Sequence, residues 1–104
     1  MSKYLFVYHG GKNPDSEEDV VKVMNAWGEW MGAMGPAVVD GGNPVGMSST
    51  VQADGSVAGD GGANPASGYS LIEAADLDEA LAKARGCPIL QDGGTVEVAE
   101  TFDM

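Results

Sequence analysis

The segment formed by residues 3–9 constrains the fold most, because it predicts a strand that is apolar on both faces. Its aromatic and β-branched residues are typical of a strand, in which successive side chains point to opposite sides. One face holds Tyr4, Phe6 and Tyr8, and the other holds Leu5, Val7 and His9. Helices packed on one side of a sheet leave its other face uncovered, so we expect a second layer there.

Two helices are predicted from apolar residues at spacings of three and four. The first covers residues 16–34, begins at Asp15 or Ser16 as its N-cap and ends at Gly35-Pro36. The second begins after Asp76, a capping residue. Their apolar stripes are Val20, Val23, Met24, Trp27, Trp30, Met31 and Met34 in the first helix, and Leu77, Ala80, Leu81 and Ala84 in the second.

The order of elements predicts an α+β fold of the ferredoxin-like class. Further strands are predicted at residues 37–40, 69–74 and 95–102. Between the second and third core strands, Asp54-Gly55 separates two short strand-like runs and predicts an extra hairpin with a type I′ turn. The resulting β-α-β-(hairpin)-β-α-β order is the split βαβ arrangement, in one domain over residues 1–104.

A glycine-rich loop recurs next to the predicted strands. Its copies are His9-Gly10-Gly11-Lys12-Asn13-Pro14, Asp40-Gly41-Gly42-Asn43-Pro44, Asp60-Gly61-Gly62-Ala63-Asn64-Pro65 and the shorter Asp92-Gly93-Gly94. Taken singly, each copy is explained by turn chemistry. In a βαββαβ sheet, however, all four copies gather at one edge, and functional residues are concentrated on loops that a rigid scaffold holds.

This edge contains the residues that we predict to form a site. His9 is the single histidine and a candidate general acid or base, with Asp40 as the carboxylate that orients it. The predicted substrate-binding residues are Trp27, Gly41, Asn43, Asp60 and Asn64. Two alternatives stay open, namely that His9 only bonds a loop carbonyl at a strand end and that Trp27 belongs to the core.

Composition excludes several classes of partner. The chain carries 16 acidic and 5 basic residues, with a net charge of −11, so binding to nucleic acid or to an anionic membrane surface is not expected. No apolar stretch is long enough to span a bilayer. One cysteine, Cys87, suits a reducing cytoplasm. The histidine and cysteine content does not support a metal site, and no nucleotide or other cofactor motif is present.

The sequence resembles the YCII-related proteins, including the branch known as DGPF-domain proteins. The resemblance covers nearly the whole chain. It is carried by the opening strand from Lys3 to Tyr8, by the turn Asp40-Gly41-Gly42-Asn43-Pro44, and by the stretch from Gly68-Tyr69 through the Leu77-Asp78-Glu79-Ala80 helix to Gly86-Cys87-Pro88. It implies two ferredoxin-like sheets packed face to face as a homodimeric α/β barrel, with a pocket between sheet and helices.

The chain departs from that family at two positions. Members with a proposed His/Asp pair carry the histidine on the first helix, where this chain has approximately Met24, so His9 does not correspond to it. The Asp-Gly-Pro-Phe motif is replaced by Asp60-Gly61-Gly62-Ala63. Two hypotheses follow: a cofactor-free enzyme performing lyase or isomerase chemistry on a small organic molecule, or a non-catalytic dimeric module that binds a small ligand or a protein.

Overall fold

A computed structural model describes residues 1–11 and 15–103. Lys12, Asn13 and Pro14, which belong to the first glycine-rich loop, lie outside the described residues. The elements, in chain order, are β1 (Ser2–His9), α1 (Glu17–Met34), β2 (Val38–Asp40), β3 (Thr50–Val51), β4 (Val57–Ala58), β5 (Ala66–Ala74), α2 (Leu77–Ala84) and β6 (Thr95–Glu100), with short 3₁₀ helices at Gly35–Ala37 and Pro88–Asp92.

The main sheet has four strands in the order β2-β5-β1-β6, and every neighbouring pair is antiparallel. β1 is central, since it pairs with β5 on one side and with β6 on the other. Phe6, in the middle of β1, lies opposite Ser70 and Val98. The chain is therefore an α+β fold with two helices and a four-stranded antiparallel sheet, which is compatible with the ferredoxin-like class.

Both helices start where their capping residues predict. The Ser16 hydroxyl accepts a hydrogen bond from the Asp19 amide at 3.1 Å, and the Asp76 carboxylate accepts one from the Glu79 amide at 2.8 Å. These side chains satisfy amides that have no partner within a helix. The indole of Trp30 donates to the carbonyl of Lys83 at 2.9 Å and so connects α1 to α2.

The hydrophobic core lies on one face of the sheet, beneath the two helices. Its buried members are Tyr4, Phe6, Tyr8, Trp30, Ile72, Ala74, Ala80, Ala84, Cys87 and Ile89. On the opposite face, Leu5, Val7 and Leu71 are only half-buried. The single chain thus covers the first face of β1 and leaves the second face partly open. Leu77, predicted to join the buried stripe of α2, is instead 49% exposed.

The predicted hairpin is present as the β3–β4 pair, but its turn is not type I′. A type I′ turn needs positive φ at both central residues. Gly55 has φ of 88°, whereas no non-glycine residue in the described part of the chain has positive φ. The Gln52 amide bonds the Ser56 carbonyl at 2.7 Å, which closes a three-residue loop. The Asp54 carboxylate accepts from the Ser56 amide and hydroxyl and holds the loop in this form.

Candidate functional site

A cavity of about 530 Å³ opens between α1 and the edge where β1 and β2 end. Its volume lies within the range of small-molecule sites. Apolar side chains from β1, α1 and the second 3₁₀ helix form one wall, namely Tyr8, Val23, Met24, Trp27, Met31 and Ile89. The remaining lining residues belong to the loops after β1 and β2, to the start of β5 and to the end of the second 3₁₀ helix, namely Gly10, Gly11, Gly41, Gly42, Asn43, Pro44, Ser67, Gly68, Tyr69 and Asp92.

Three of the four glycine-rich loops converge on this cavity. Gly10 and Gly11 follow β1, Gly41 and Gly42 follow β2, and Asp92 precedes β6. They meet because β1 and β2 each lie antiparallel to β5 and so end at the same edge of the sheet. The third loop, at residues 60–62, does not line the cavity.

The second loop is fixed against β5. The Asp40 carboxylate accepts a hydrogen bond from the Gly42 amide at 2.8 Å, and the Asn43 carbonyl accepts one from the Tyr69 amide at 3.3 Å. Gly42 has φ of 70°, and a Cβ built on it would lie 1.7 Å from the Tyr69 carbonyl oxygen. Only glycine permits both this backbone conformation and this close approach. Asp40 therefore acts as a loop-fixing residue in this structure.

A buried chain of hydrogen bonds connects the pocket wall to the same loop. The Tyr8 hydroxyl donates to Ser70 Oγ at 2.7 Å, and the Ser70 hydroxyl donates to the Gly41 carbonyl at 2.7 Å. Ser70 is fully buried. Burial raises the pKa of Tyr8 well above its usual value, so this hydroxyl is a neutral donor at physiological pH. These two hydrogen bonds hold Gly41 in place beside the cavity.

Trp27 forms an aromatic part of the pocket wall. Its ring is nearly perpendicular to the ring of Tyr8, with centroids 4.8 Å apart, and to the indole of Trp30, with centroids 5.6 Å apart. Trp30 is buried in the core, whereas Trp27 is half-buried. Trp30 therefore belongs to the core, whereas Trp27 forms part of the pocket wall.

His9 lies away from the cavity, on the open face of the sheet that also carries Glu97. Its Nδ1 is 2.9 Å from the Asn64 carbonyl and 3.2 Å from the Pro65 carbonyl, and its Nε2 is 2.9 Å from a Glu97 carboxylate oxygen. Both ring nitrogens therefore face acceptors, an arrangement that is satisfied when both carry a proton. The hydrogen bond that Nε2 donates to the Glu97 carboxylate raises the pKa of His9 accordingly.

The predicted pairing of His9 with Asp40 is wrong. The carboxylate bonded to His9 belongs to Glu97, while the Asp40 carboxylate is bonded to the Gly42 amide. The register explains the difference, because Asp40 lies beside Leu71, which pairs with Leu5, four residues before His9 along β1. The alternative that His9 bonds loop carbonyls agrees with the geometry. Its role as an acid or base stays a prediction.

The remaining predicted site residues divide between two places. Trp27, Gly41 and Asn43 line the cavity. Asp60 is turned into its own loop, where its carboxylate accepts from the Gly62 amide at 3.1 Å. Asn64 reaches His9 through its carbonyl rather than the cavity.

Sequence reasoning missed Ser67 and Glu97. Ser67 precedes the predicted start of β5 at residue 69, since Ala66-Ser67-Gly68 lacks the β-branched residues that indicate a strand. Glu97 was detectable, because alternation in β6 places it opposite to Val96 and Val98, on the same face as His9.

A metal or redox site would depend on how metal-ligating side chains and the single cysteine are arranged in the part of the chain that the structure describes. No group of three or more His, Cys, Asp or Glu side chains comes together in residues 1–11 and 15–103. Cys87 is buried, and burial raises the pKa of its thiol to about 11.

Within the described residues, no helix has the length and apolar character needed to cross a bilayer.

No known protein family and no curated protein matches this sequence. The geometry of the cavity and of the His9 cluster is therefore the basis for assigning a function.

Proposed function

We propose that this protein binds a small organic molecule in the cavity between α1 and the sheet edge. The observation that carries the proposal is a space of about 530 Å³ lined by aromatic and aliphatic side chains together with residues of the glycine-rich loops. Ligand sites commonly combine a mostly apolar lining with a few placed polar groups. This is the binding-module hypothesis of the two that the sequence leaves open.

One polar group in the lining lacks a partner within the described chain. Ser67 lines the cavity, and its Oγ is buried without a hydrogen bond to any described residue. Buried polar atoms are nearly always paired in native proteins, because an unpaired one costs about 1–3 kcal/mol. This oxygen is enclosed by the protein and does not face the cavity, so it does not specify a polar group on the ligand. The mostly apolar lining itself supports a ligand that is apolar over most of its surface.

The positions of His9 and Tyr8 favour ligand binding over acid–base catalysis by either of these two residues. His9 is not among the lining residues, and its nitrogens are engaged by Glu97 and by two carbonyls. Tyr8 does line the cavity, but its hydroxyl proton is used in the bond to Ser70 and its pKa is raised. A general base needs a free lone pair within hydrogen-bond reach of the substrate. Neither residue offers one to this cavity.

Replacing Trp27 with alanine is expected to weaken ligand binding at least about tenfold, because the indole supplies a large part of the apolar wall. Fragments that raise the melting temperature would be found by a thermal-shift screen and their affinities measured by calorimetry. Two methionines give a matched control. Met24 lines the cavity and Met47 is 98% exposed outside it, so M24A should weaken binding and M47A should not. Equal affinities for wild type, W27A and M24A would contradict the proposal.

We further propose that the fold is the ferredoxin-like βαββαβ arrangement and that two copies pair through the open faces of their sheets. The strand order β2-β5-β1-β6 supports the ferredoxin-like arrangement.

The exposed area of the chain supports the pairing of two copies. The chain exposes 6907 Å², whereas a monomer of 10.6 kDa typically exposes about 5,500 Å². Its radius of gyration is 14.9 Å, against about 13 Å for a compact chain of this length. The excess surface is larger than the ~800 Å² that each partner buries in a standard interface.

The pairing is tested by placing a charge on the open face. Leu71 lies beside Leu5 on that face and is half-buried, so L71E should convert a dimer into a monomer in sedimentation velocity. L90E is the control, because Leu90 is 42% exposed and lies in the second 3₁₀ helix, outside the sheet. Circular dichroism verifies that both variants fold. A wild-type chain that sediments as a monomer would overturn the pairing without affecting the cavity.

A further inference from the structure

Resting on the proposed binding function, we propose that the cavity selects an organic cation, specifically a small alkylated ammonium group, over a neutral molecule of the same shape. Three properties of the cavity support this ligand. Its walls are aromatic, its described lining residues include a single charged side chain, which is negative, and the described residues form no cluster suited to an inorganic ion.

The aromatic walls come from Tyr8 and Trp27. Neither ring that neighbours Trp27 stacks on it in parallel, since the interplanar angles to Tyr8 and Trp30 are 84° and 79°. The half-buried indole also borders the cavity directly. A cation placed over the face of a tryptophan is attracted by the ring quadrupole, and this attraction is greatest where water is excluded.

The charges around the cavity favour the same ligand. Asp92 is the one charged side chain among the described lining residues, and none of those residues is Lys, Arg or His. The whole chain carries a net charge of −11, so its field attracts cations and repels anions. An anionic ligand would enter this site without a described cationic partner, and burial of an unpaired charge is unfavourable.

The chemistry of the other lining residues restricts which class of cation fits the cavity. A bare metal ion needs several oxygen ligands, and the described residues contain no cluster of three or more candidate metal-ligating side chains. A primary ammonium would need hydrogen-bond acceptors for three N–H groups. An ammonium carrying methyl groups donates few or no hydrogen bonds and presents an apolar surface. Such a surface fits against Val23, Met24 and Met31.

The test compares two probes of nearly identical shape, choline and its uncharged carbon analogue 3,3-dimethyl-1-butanol. Both carry the same hydroxyl group, so the difference between their affinities isolates the effect of the charge. NMR titration of the 104-residue chain should show choline binding about tenfold or more tightly than the alcohol. The variant D92N should reduce that ratio several-fold. Asp92 is exposed, so D92N is expected to fold as the wild type does, and thermal unfolding verifies this.

Each outcome decides between the two levels of the proposal. Stronger binding of choline, with a ratio that falls in D92N, supports both the site and its selectivity. Equal or tighter binding of the alcohol would overturn the selectivity and leave the binding function in place. If neither probe shifts resonances at the cavity, but fragments from the thermal-shift screen bind there, only the cation proposal fails. If no fragment binds at the cavity, the proposed function fails with it.

Discussion

Replacing Gly42 with alanine is expected to destabilise the fold by about 2–5 kcal/mol and to abolish ligand binding. The Cβ of the new residue would lie 1.7 Å from the Tyr69 carbonyl oxygen, a backbone atom that cannot move independently. The φ of 70° adds the cost of a left-handed conformation, about 1–2 kcal/mol, and overpacking typically adds ~1–3 kcal/mol. Chemical denaturation would measure the change in the free energy of unfolding.

The neighbouring glycine is the matched control for this variant. The nearest atom to a Cβ built on Gly41 would be Val38 Cγ1, at 4.0 Å, and Gly41 does not have positive φ. G41A should therefore change the free energy of unfolding by less than about 1 kcal/mol. Similar stabilities for G42A and G41A would show that the second loop does not lie against β5 as described.

Replacing Ser70 with alanine is expected to cost about 1–3 kcal/mol, because it leaves the buried Tyr8 hydroxyl without its acceptor. It also removes the hydrogen bond that holds the Gly41 carbonyl at the cavity. Binding of any cavity ligand should weaken together with stability, since the loop that carries Gly41 loses its anchor. Denaturation and calorimetry on the same sample would measure both effects.

A double-mutant cycle distinguishes this hydrogen-bond chain from simple loss of packing. In Y8F the tyrosine hydroxyl is absent, so adding S70A no longer leaves an unpaired donor. The double variant should thus be less destabilised than the sum of the two single variants. Additive effects would show that Tyr8 and Ser70 are not energetically coupled, which would contradict the bonded chain.

The helices and the order of strands were predictable because local chemistry determines them. Ser16 and Asp76 start their helices through hydrogen bonds to amides three residues later, and such spacing is visible in a sequence. The convergence of three loops followed from the antiparallel topology alone. The position of β2 relative to β1 could not be predicted in this way, because β2 is three residues long and pairs with β5 through an irregular register. Asp40 was consequently assigned to the wrong partner.

The division of the predicted site into two places has a similar cause. His9 and Tyr8 are adjacent in sequence, yet alternation along β1 sends their side chains to opposite faces of the sheet. Tyr8 therefore reaches the cavity and His9 reaches Glu97. Proximity of loops at a sheet edge was predicted, but it did not determine on which face each side chain would lie. The bond between His9 and the Asn64 carbonyl depends on the path of a long connection, which no local pattern encodes.

The most direct test of the account is a two-dimensional NMR spectrum of the indole N–H groups recorded with and without a cavity ligand. The two tryptophans act as probe and internal reference, because Trp27 lines the cavity and the Trp30 indole is bonded to the Lys83 carbonyl. Choline or a fragment from the thermal-shift screen should shift the Trp27 resonance strongly and the Trp30 resonance little. Shifts centred on His9 and Glu97, with Trp27 unchanged, would place the binding site on the open sheet face and contradict the account.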